Sequence, residues 1–276
     1  KILESLIKIG DSKNLETVLV TFIPHPRIVL FPDQELKLIN TIDENIALFK
    51  TYNINHLVFQ EFDKEFSRIT SLEYIRDILF QKIGLKDLII GYNHHFGRNR
   101  EGSVSNLQEY AELYGFNIHE VGSCNMEDIS ISSTKIRSAI NDGNIKLAND
   151  YLGYNFQLSG HVIKGKGIGK TIGFPTANIN INNNTKIIPK NGVYAVNIYY
   201  KASKYEGMLN IGTNPTFNEH KLSIEVHIFD FNQTIYNELI TVKFVQRIRG
   251  QKKFESIDEL KYQLSIDKIA SLNMLS

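Results

Sequence analysis

The sequence predicts a two-part fold: a parallel, doubly wound α/β half, then a compact antiparallel β-barrel closed by a C-terminal helix. Three observations predict it. Short, β-branched apolar runs alternate with helical periods through the first half of the chain. After about Tyr154 the helical periods vanish and strand-like runs crowd together, separated by Gly, Asn and Pro. The stretch Ser256–Ala270 then returns to an amphipathic period.

Taken in order, Ile2, Leu3, Leu6 and Ile7 open a helical pattern. Thr17–Ile23 is almost wholly apolar, as expected of a strand buried on both faces. A helical stretch at Asp43–Tyr52 precedes a strand at His56–Phe62. Over Ser71–Ile83, Leu72, Ile75, Ile78 and Leu79 share one helical stripe. Asp87–Tyr92 reads as a strand, Asn106–Tyr114 as a helix and Asn117–Val121 as a strand. Strands separated by helices make βαβ units and a parallel sheet, which binds ligands beyond the carboxyl ends of its strands. The boundary falls near Tyr151–Phe156, giving domains 1–153 and 154–276. Barrel strands follow at Phe156–Lys164, Val193–Tyr200, Tyr205–Ile211, Leu222–Phe231 and Glu238–Arg249.

Composition narrows the classes of function. With 276 residues and 42% apolar content, the chain can build two cores. A formal net charge of +1 gives no electrostatic reason to expect nucleic acid or an anionic membrane as partner. No apolar run approaches the ~20 residues that span a bilayer. The lone Cys124 cannot form an internal disulfide, which suits a reducing, cytoplasmic setting.

The most informative stretch is Lys164–Asn178, KGKGIGKTIGFPTAN. Gly165, Gly167, Gly169 and Gly173 surround Lys166 and Lys170. Glycines let backbone N–H groups turn toward phosphate oxygens, and lysines add point charges. A flexible hairpin with solvated lysines has the same composition. The stretch is not a Walker loop, because Gly173-Phe174-Pro175 follows where a helix should open.

The glycine loop running into Gly173-Phe174-Pro175-Thr176-Ala177-Asn178 resembles the bacterial riboflavin kinase family. The resemblance continues through Gly192–Tyr194, Asn210–Gly212, Asn214–Phe217, Ile224–His227 and Phe254–Leu260, in the family's order. It implies ATP-dependent phosphorylation of riboflavin to FMN. Gly165, Gly167, Gly169, Lys170, Gly173 and Thr176 are then expected to hold ATP. Thr176 and Asn178 are expected to hold Mg²⁺, which takes hard oxygen ligands together with phosphate and water. Asn178 is also expected to contact the flavin, and Glu225 to be the general base. The strand pattern agrees with that role: Leu222, Ile224, Val226 and Ile228 share one face, and Ser223, Glu225 and His227 the other. No role is assigned to His227. Arg249, alternating outward with Arg247, is expected at the flavin phosphate, at a closing loop or as a solvated strand end. Phe156, Phe174, Phe217 and Phe254 are candidates for either the ring pocket or the core.

The first half resembles the FMN adenylyltransferase module of bifunctional FAD synthetases, with its Rossmann-like fold. The matching pieces are Thr21–Arg27, Gly91–Gly102 and Ser132–Arg137. Hydroxyls opening an apolar-periodic helix, with an arginine one turn in, suit a nucleotide's phosphates; simple capping uses the same residues. The resemblance implies nucleotide contacts from Asn93, Ser133, Thr134 and Arg137. In the Gly91–Gly102 piece, His94 and His95 depart from the family pattern and are read as loop residues. The family's H-x-G-H motif, which serves adenylyl transfer, is not matched by any of the eight histidines. The natural protein is expected to carry it ahead of Lys1, with a catalytically silent module as the alternative. The expected small-molecule partners are riboflavin, FMN and ATP. A kinase with a scaffolding first domain, a flavin- or nucleotide-binding regulator and an OB-like nucleic-acid binder are the competing readings. The near-zero net charge weighs against the last.

Overall fold

Alternation of apolar runs and helical periods folds here into two compact units, Lys1–Leu36 with Asn45–Ser130, and Lys37–Glu44 with Ile131–Ser276. The computed structural model describes residues 1–91, 104–122, 125–126, 129–165, 167–216 and 219–276.

In the first unit, α1 (Ile2–Lys13) ends at Asn14, which takes the left-handed conformation at φ 52°. Strand β1 (Val18–Ile23) is followed by the short α2 (Pro26–Leu30), which His25 caps by accepting the Arg27 N–H at 3.2 Å. Helix α3 (Ile42–Lys50) leads to β2 (His56–Glu61), which pairs in parallel with β1, Val18 opposite His56 and Ile23 opposite Glu61. Helix α4 begins at Ser71–Glu73 behind a Thr70/Glu73 capping box. Over Tyr74–Ile83 it winds as a π-helix, where the sequence predicts continuous α-helix. The predicted stripe still faces inward at Ile75 and Leu79. Strands β3 (Asp87–Gly91) and β4 (Asn117–Val121) form a second parallel pair around α5 (Val104–Tyr114), and the short β5 (Asn125–Met126) and β6 (Ile129–Ser130) form a small antiparallel pair. Ile75, Leu79, Ile90, Leu107, Ala111 and Phe116 make the core.

The second unit opens with α6 (Ser133–Asp142) and α7 (Ile145–Leu152). Then come β7 (Gln157–Ile163), the single turn α8 (Ile168–Thr171), β8 (Ala177–Asn180), β9 (Gly192–Tyr200), β10 (Ser203–Thr216), β11 (Glu219–Ile228), β12 (Leu239–Arg249) and α9 (Ile257–Leu275). Six strands close into a barrel in the order β10-β11-β8-β7-β12-β9, every neighbour antiparallel. Five of them lie where the sequence places strands; β8 is the addition. Period-2 alternation sends Tyr194, Val196 and Ile198 of β9, and Ile224, Val226 and Ile228 of β11, into the barrel. Phe244 stacks against Phe156 and Tyr194 there, with ring centroids 5.7 and 5.3 Å away. Ile136, Ala139 and Ile140 of α6 and Ile145 and Ala148 of α7 join this same core, so both helices pack with the barrel rather than with the parallel strands.

Segment Lys37–Glu44 is stitched to the barrel by a Leu38–Lys186 bridge and by a fully buried ion pair, Lys186 Nζ to Glu44 Oε2 at 2.5 Å. Every partner needed to tolerate that burial is present. Glu44 accepts the Ser159 N–H at 3.0 Å and the Thr41 N–H at 2.9 Å, and Lys186 also donates to the Ile39 carbonyl. Burial pushes the Lys186 ammonium down to about 8, and Glu44 offsets only part of that shift.

On the barrel's outer face, Val193, Met208 and Phe229 pack with Phe174, Ile248 and, from α9, Leu264 and Leu275. Helix α9 is capped by Ser256, which accepts the Glu259 N–H at 3.1 Å. It is tied down by a bidentate pair in which Arg249 Nε and Nη2 donate to Asp267 at 2.9 and 2.6 Å.

Candidate active site

The short strand β8 lies between β11 and β7, and its register decides what meets on the outer face of the barrel. Asn178 is opposite Glu225, and Glu225 is opposite Asn210 of β10, so the three form one cross-strand row. The inward neighbours Ile224, Val226 and Ile179 are buried, which holds that row outward. Glu225, Asn178 and Asn210 are each half-buried, within reach of a ligand. Thr176 is exposed, and its hydroxyl lies 3.4 Å from Glu225 Oε2.

The glycine loop folds onto this row. A Cβ at Gly165 would fall 2.1 Å from the Asn178 side-chain nitrogen, and one at Gly169 only 2.3 Å from the Phe174 carbonyl oxygen. Backbone therefore approaches the Asn178 amide and the Thr176 turn more closely than any side chain would allow. Gly167 and Gly173 turn the loop at φ 75° and 85°. The Phe174 N–H donates to the Gly169 carbonyl at 2.8 Å, closing the loop just before Pro175. Lys170 is exposed on α8. Lys166 lies outside the described residues.

His227, two residues beyond Glu225 on the same face, is buried. Its Nδ1 lies 2.7 Å from the Pro175 carbonyl oxygen, and its ring packs edge-on to Phe174 and Phe229 at 5.4 and 5.6 Å. Burial lowers its pKa below the ordinary histidine range, Lys268 adds to that, and the Pro175 bond and Asp230 oppose it.

Arg249 commits Nε and Nη2 to Asp267 and Nη1 to the Gly250 carbonyl, so it anchors α9. Phe156 is fully buried inside the barrel as core, Phe174 belongs to the outer apolar cluster, and Phe254 lies 5.8 Å from the Arg249 guanidinium. Phe217 and Asn93 lie outside the described residues, as do His94 and His95. Ser132 caps α6 by accepting the Lys135 N–H at 3.4 Å, and Ser133 and Thr134 are exposed in its first turn. Arg137, half-buried one turn in, donates from Nε to the Lys37 carbonyl at 2.7 Å. Asn210, which the sequence marks only as part of the Asn210-Ile211-Gly212 motif, joins the row through register, which sets it opposite Glu225.

Among the described residues no cluster of three or more His, Cys, Asp or Glu side chains is arranged to hold a metal, and no helix is long and apolar enough to cross a membrane. The hydroxyl of Thr176, the amide of Asn178 and the carboxylate of Glu225 are instead hard oxygen donors beside a glycine loop. That donor set suits a divalent cation which completes its shell from phosphate and water.

A family profile described as "Riboflavin kinase" matches residues 152–275, and one described as "FAD synthetase" matches residues 1–135. A bifunctional riboflavin kinase/FMN adenylyltransferase of Buchnera aphidicola is 38% identical over 97% of this chain and 86% of its own length. The protein of that description from Escherichia coli K12 is 32% identical over 98% of this chain and 86% of its own length. A solved structure titled as a macrolide-efflux protein from Streptococcus pneumoniae superposes with a TM-score of 0.88 at 32% identity, over 99% of this chain and 88% of that one.

Proposed function

Because the chain belongs to the bifunctional riboflavin kinase/FMN adenylyltransferase family, we propose that it phosphorylates riboflavin with ATP at the Glu225 row and that its N-terminal module adenylylates FMN to FAD, releasing pyrophosphate. The observation that carries the kinase reading is the register that sets Glu225 beside Asn178, with the Thr176 hydroxyl 3.4 Å from its carboxylate. A protein that only bound flavin would need no carboxylate at that point.

Phosphoryl transfer is mostly positioning and charge stabilisation. The backbone of Gly165, Gly167, Gly169 and Gly173, with Lys170, cradles the ATP phosphates. Thr176 and Asn178 would hold Mg²⁺, which would supply positive charge against the phosphates during transfer. Asn178 and Asn210 orient the ribityl chain. Glu225 accepts the proton of the terminal ribityl hydroxyl as its oxygen bonds to the γ-phosphorus; the bond from that phosphorus to the β,γ-bridging oxygen breaks, and ADP departs. Arg249, at the end of β12 and paired with Asp267 of α9, serves the flavin end of the site. For adenylyl transfer, Ser133, Thr134 and Arg137 of α6 receive nucleotide phosphates; Asn93 is assigned hydrogen bonds to a base or flavin. The functional division falls at 1–153 and 154–276. Riboflavin, FMN and ATP are the partners, with Mg²⁺ as cofactor, and the setting is the cytoplasm. Incubating the chain with riboflavin, ATP and Mg²⁺ and separating the flavins by chromatography tests both activities. FMN supports the kinase, FAD supports the second module, and no new flavin removes both.

A further inference from the structure

We propose that His227 is a positioning residue of the phosphoryl-transfer site, holding the Pro175–Thr176 peptide so that Thr176 and Asn178 face Glu225. The proposal rests on the kinase reading. A carbonyl oxygen only accepts hydrogen bonds, so the 2.7 Å contact to Pro175 places the imidazole proton on Nδ1. The ring cannot swing away, because it is 9% exposed and set edge-on to Phe174 and Phe229.

What it holds is the link between two fixed points. Upstream, the Phe174 N–H is bound to the Gly169 carbonyl at 2.8 Å. Downstream, Ala177 is registered against Val226 in the β8–β11 ladder. The peptide between Pro175 and Thr176 sets the direction in which the Thr176 side chain leaves the backbone. Its carbonyl is the atom His227 grips. Strand β11 therefore offers the base at Glu225 and, two residues on along the same face, the clamp for the residue beside that base.

Two variants of the full chain separate hydrogen bond from packing. His227→Phe keeps an aromatic ring between Phe174 and Phe229 but has no donor. His227→Asn gives up the ring but keeps an N–H near the Nδ1 position. With riboflavin, ATP and Mg²⁺, His227→Phe is expected to lose about tenfold or more in kcat, with KM for riboflavin within about twofold of the parent. Its Mg²⁺ requirement and the affinity of Mg²⁺·ADP measured by calorimetry are expected to weaken several-fold, and His227→Asn to recover most of each loss. Long-range ¹H–¹⁵N spectra of the parent are expected to show the Nδ1-protonated tautomer. Parent-like kcat and Mg²⁺·ADP affinity in His227→Phe, no recovery in His227→Asn, or an Nε2-protonated ring would each overturn the proposal. If the parent forms no FMN, the kinase reading fails on its own, while the tautomer and the Mg²⁺·ADP affinities still decide whether His227 orders Thr176.

Discussion

Glu225 and Asn178 face each other across the β11–β8 ladder, and the Thr176 hydroxyl two residues before Asn178 approaches the same carboxylate at 3.4 Å. The proposed base and the proposed cation ligands are thus held by backbone register. Their spacing is as rigid as the barrel, whose interior residues on both strands are buried.

The hydroxyl of Thr176 has a direct test. Thr176→Val keeps the shape of the side chain and removes the oxygen donor. FMN formation should fall by about 10²-fold with little change in melting temperature, and Thr176→Ser should retain most of the activity. Initial rates over a Mg²⁺ titration report both effects.

The loop glycines should separate by what their Cβ atoms meet. Gly165→Ala pushes against the Asn178 side chain, which can turn aside but then leaves the row. Activity should drop more than tenfold while stability changes by less than about 1 kcal/mol. Gly169→Ala meets the Phe174 backbone carbonyl, so the loop itself must shift, and ATP affinity should fall as well. Thermal melts alongside ATP titrations distinguish the two.

The buried ion pair at Lys186 and Glu44 predicts both a magnitude and a pH slope. Lys186→Met leaves Glu44 charged and buried, costing about 3–5 kcal/mol of stability; adding Glu44→Gln should restore part of it. In the parent, the folded pKa of about 8 lies below the ordinary 10.5. Between those values the unfolded chain binds the proton that the folded chain releases, so this lysine makes stability rise with pH in that window. Urea unfolding at pH 8 and pH 10 should show the rise in the parent, with a smaller one in Lys186→Met.

Where α9 docks, Arg249→Ala should release the helix by leaving Asp267 buried with Gln263 at 3.0 Å as its remaining neutral partner. A loss of about 2–3 kcal/mol is expected, since Arg249 itself is 21% exposed. Faster amide exchange confined mainly to Ile257–Leu275 would locate the effect.

How far the sequence discloses this arrangement differs from element to element. The alternation of β11 shows which way Glu225 points, because Ile224 and Val226 mark the buried face on either side of it. Strand β8 leaves no such trace: Ala177–Asn180 is four residues long, begins two residues after Pro175 and runs into Ile181 and three asparagines. Pairing makes it a strand, and pairing is what delivers Asn178 to Glu225. Helices α6 and α7 show a clear apolar period, yet nothing in their own residues says that the stripe packs on Phe156 and Tyr194. Arg249 is legible as an outward residue, but its partner Asp267 lies 18 positions away on a helix whose docking is tertiary. His227 is visible beside Glu225 on the outward face; its bond to Pro175 spans 52 positions and appears only once the loop is folded back.

The central claim is that Glu225 is the base of a riboflavin kinase, and comparing the full chain with its Glu225→Gln variant tests it most directly. In a single turnover with riboflavin, ATP and Mg²⁺, the parent should form FMN. The variant should bind riboflavin with similar affinity yet form FMN at least about 10²-fold more slowly. FMN formation at the parental rate in Glu225→Gln would contradict the assignment of the base, and no FMN from the parent would contradict the kinase itself.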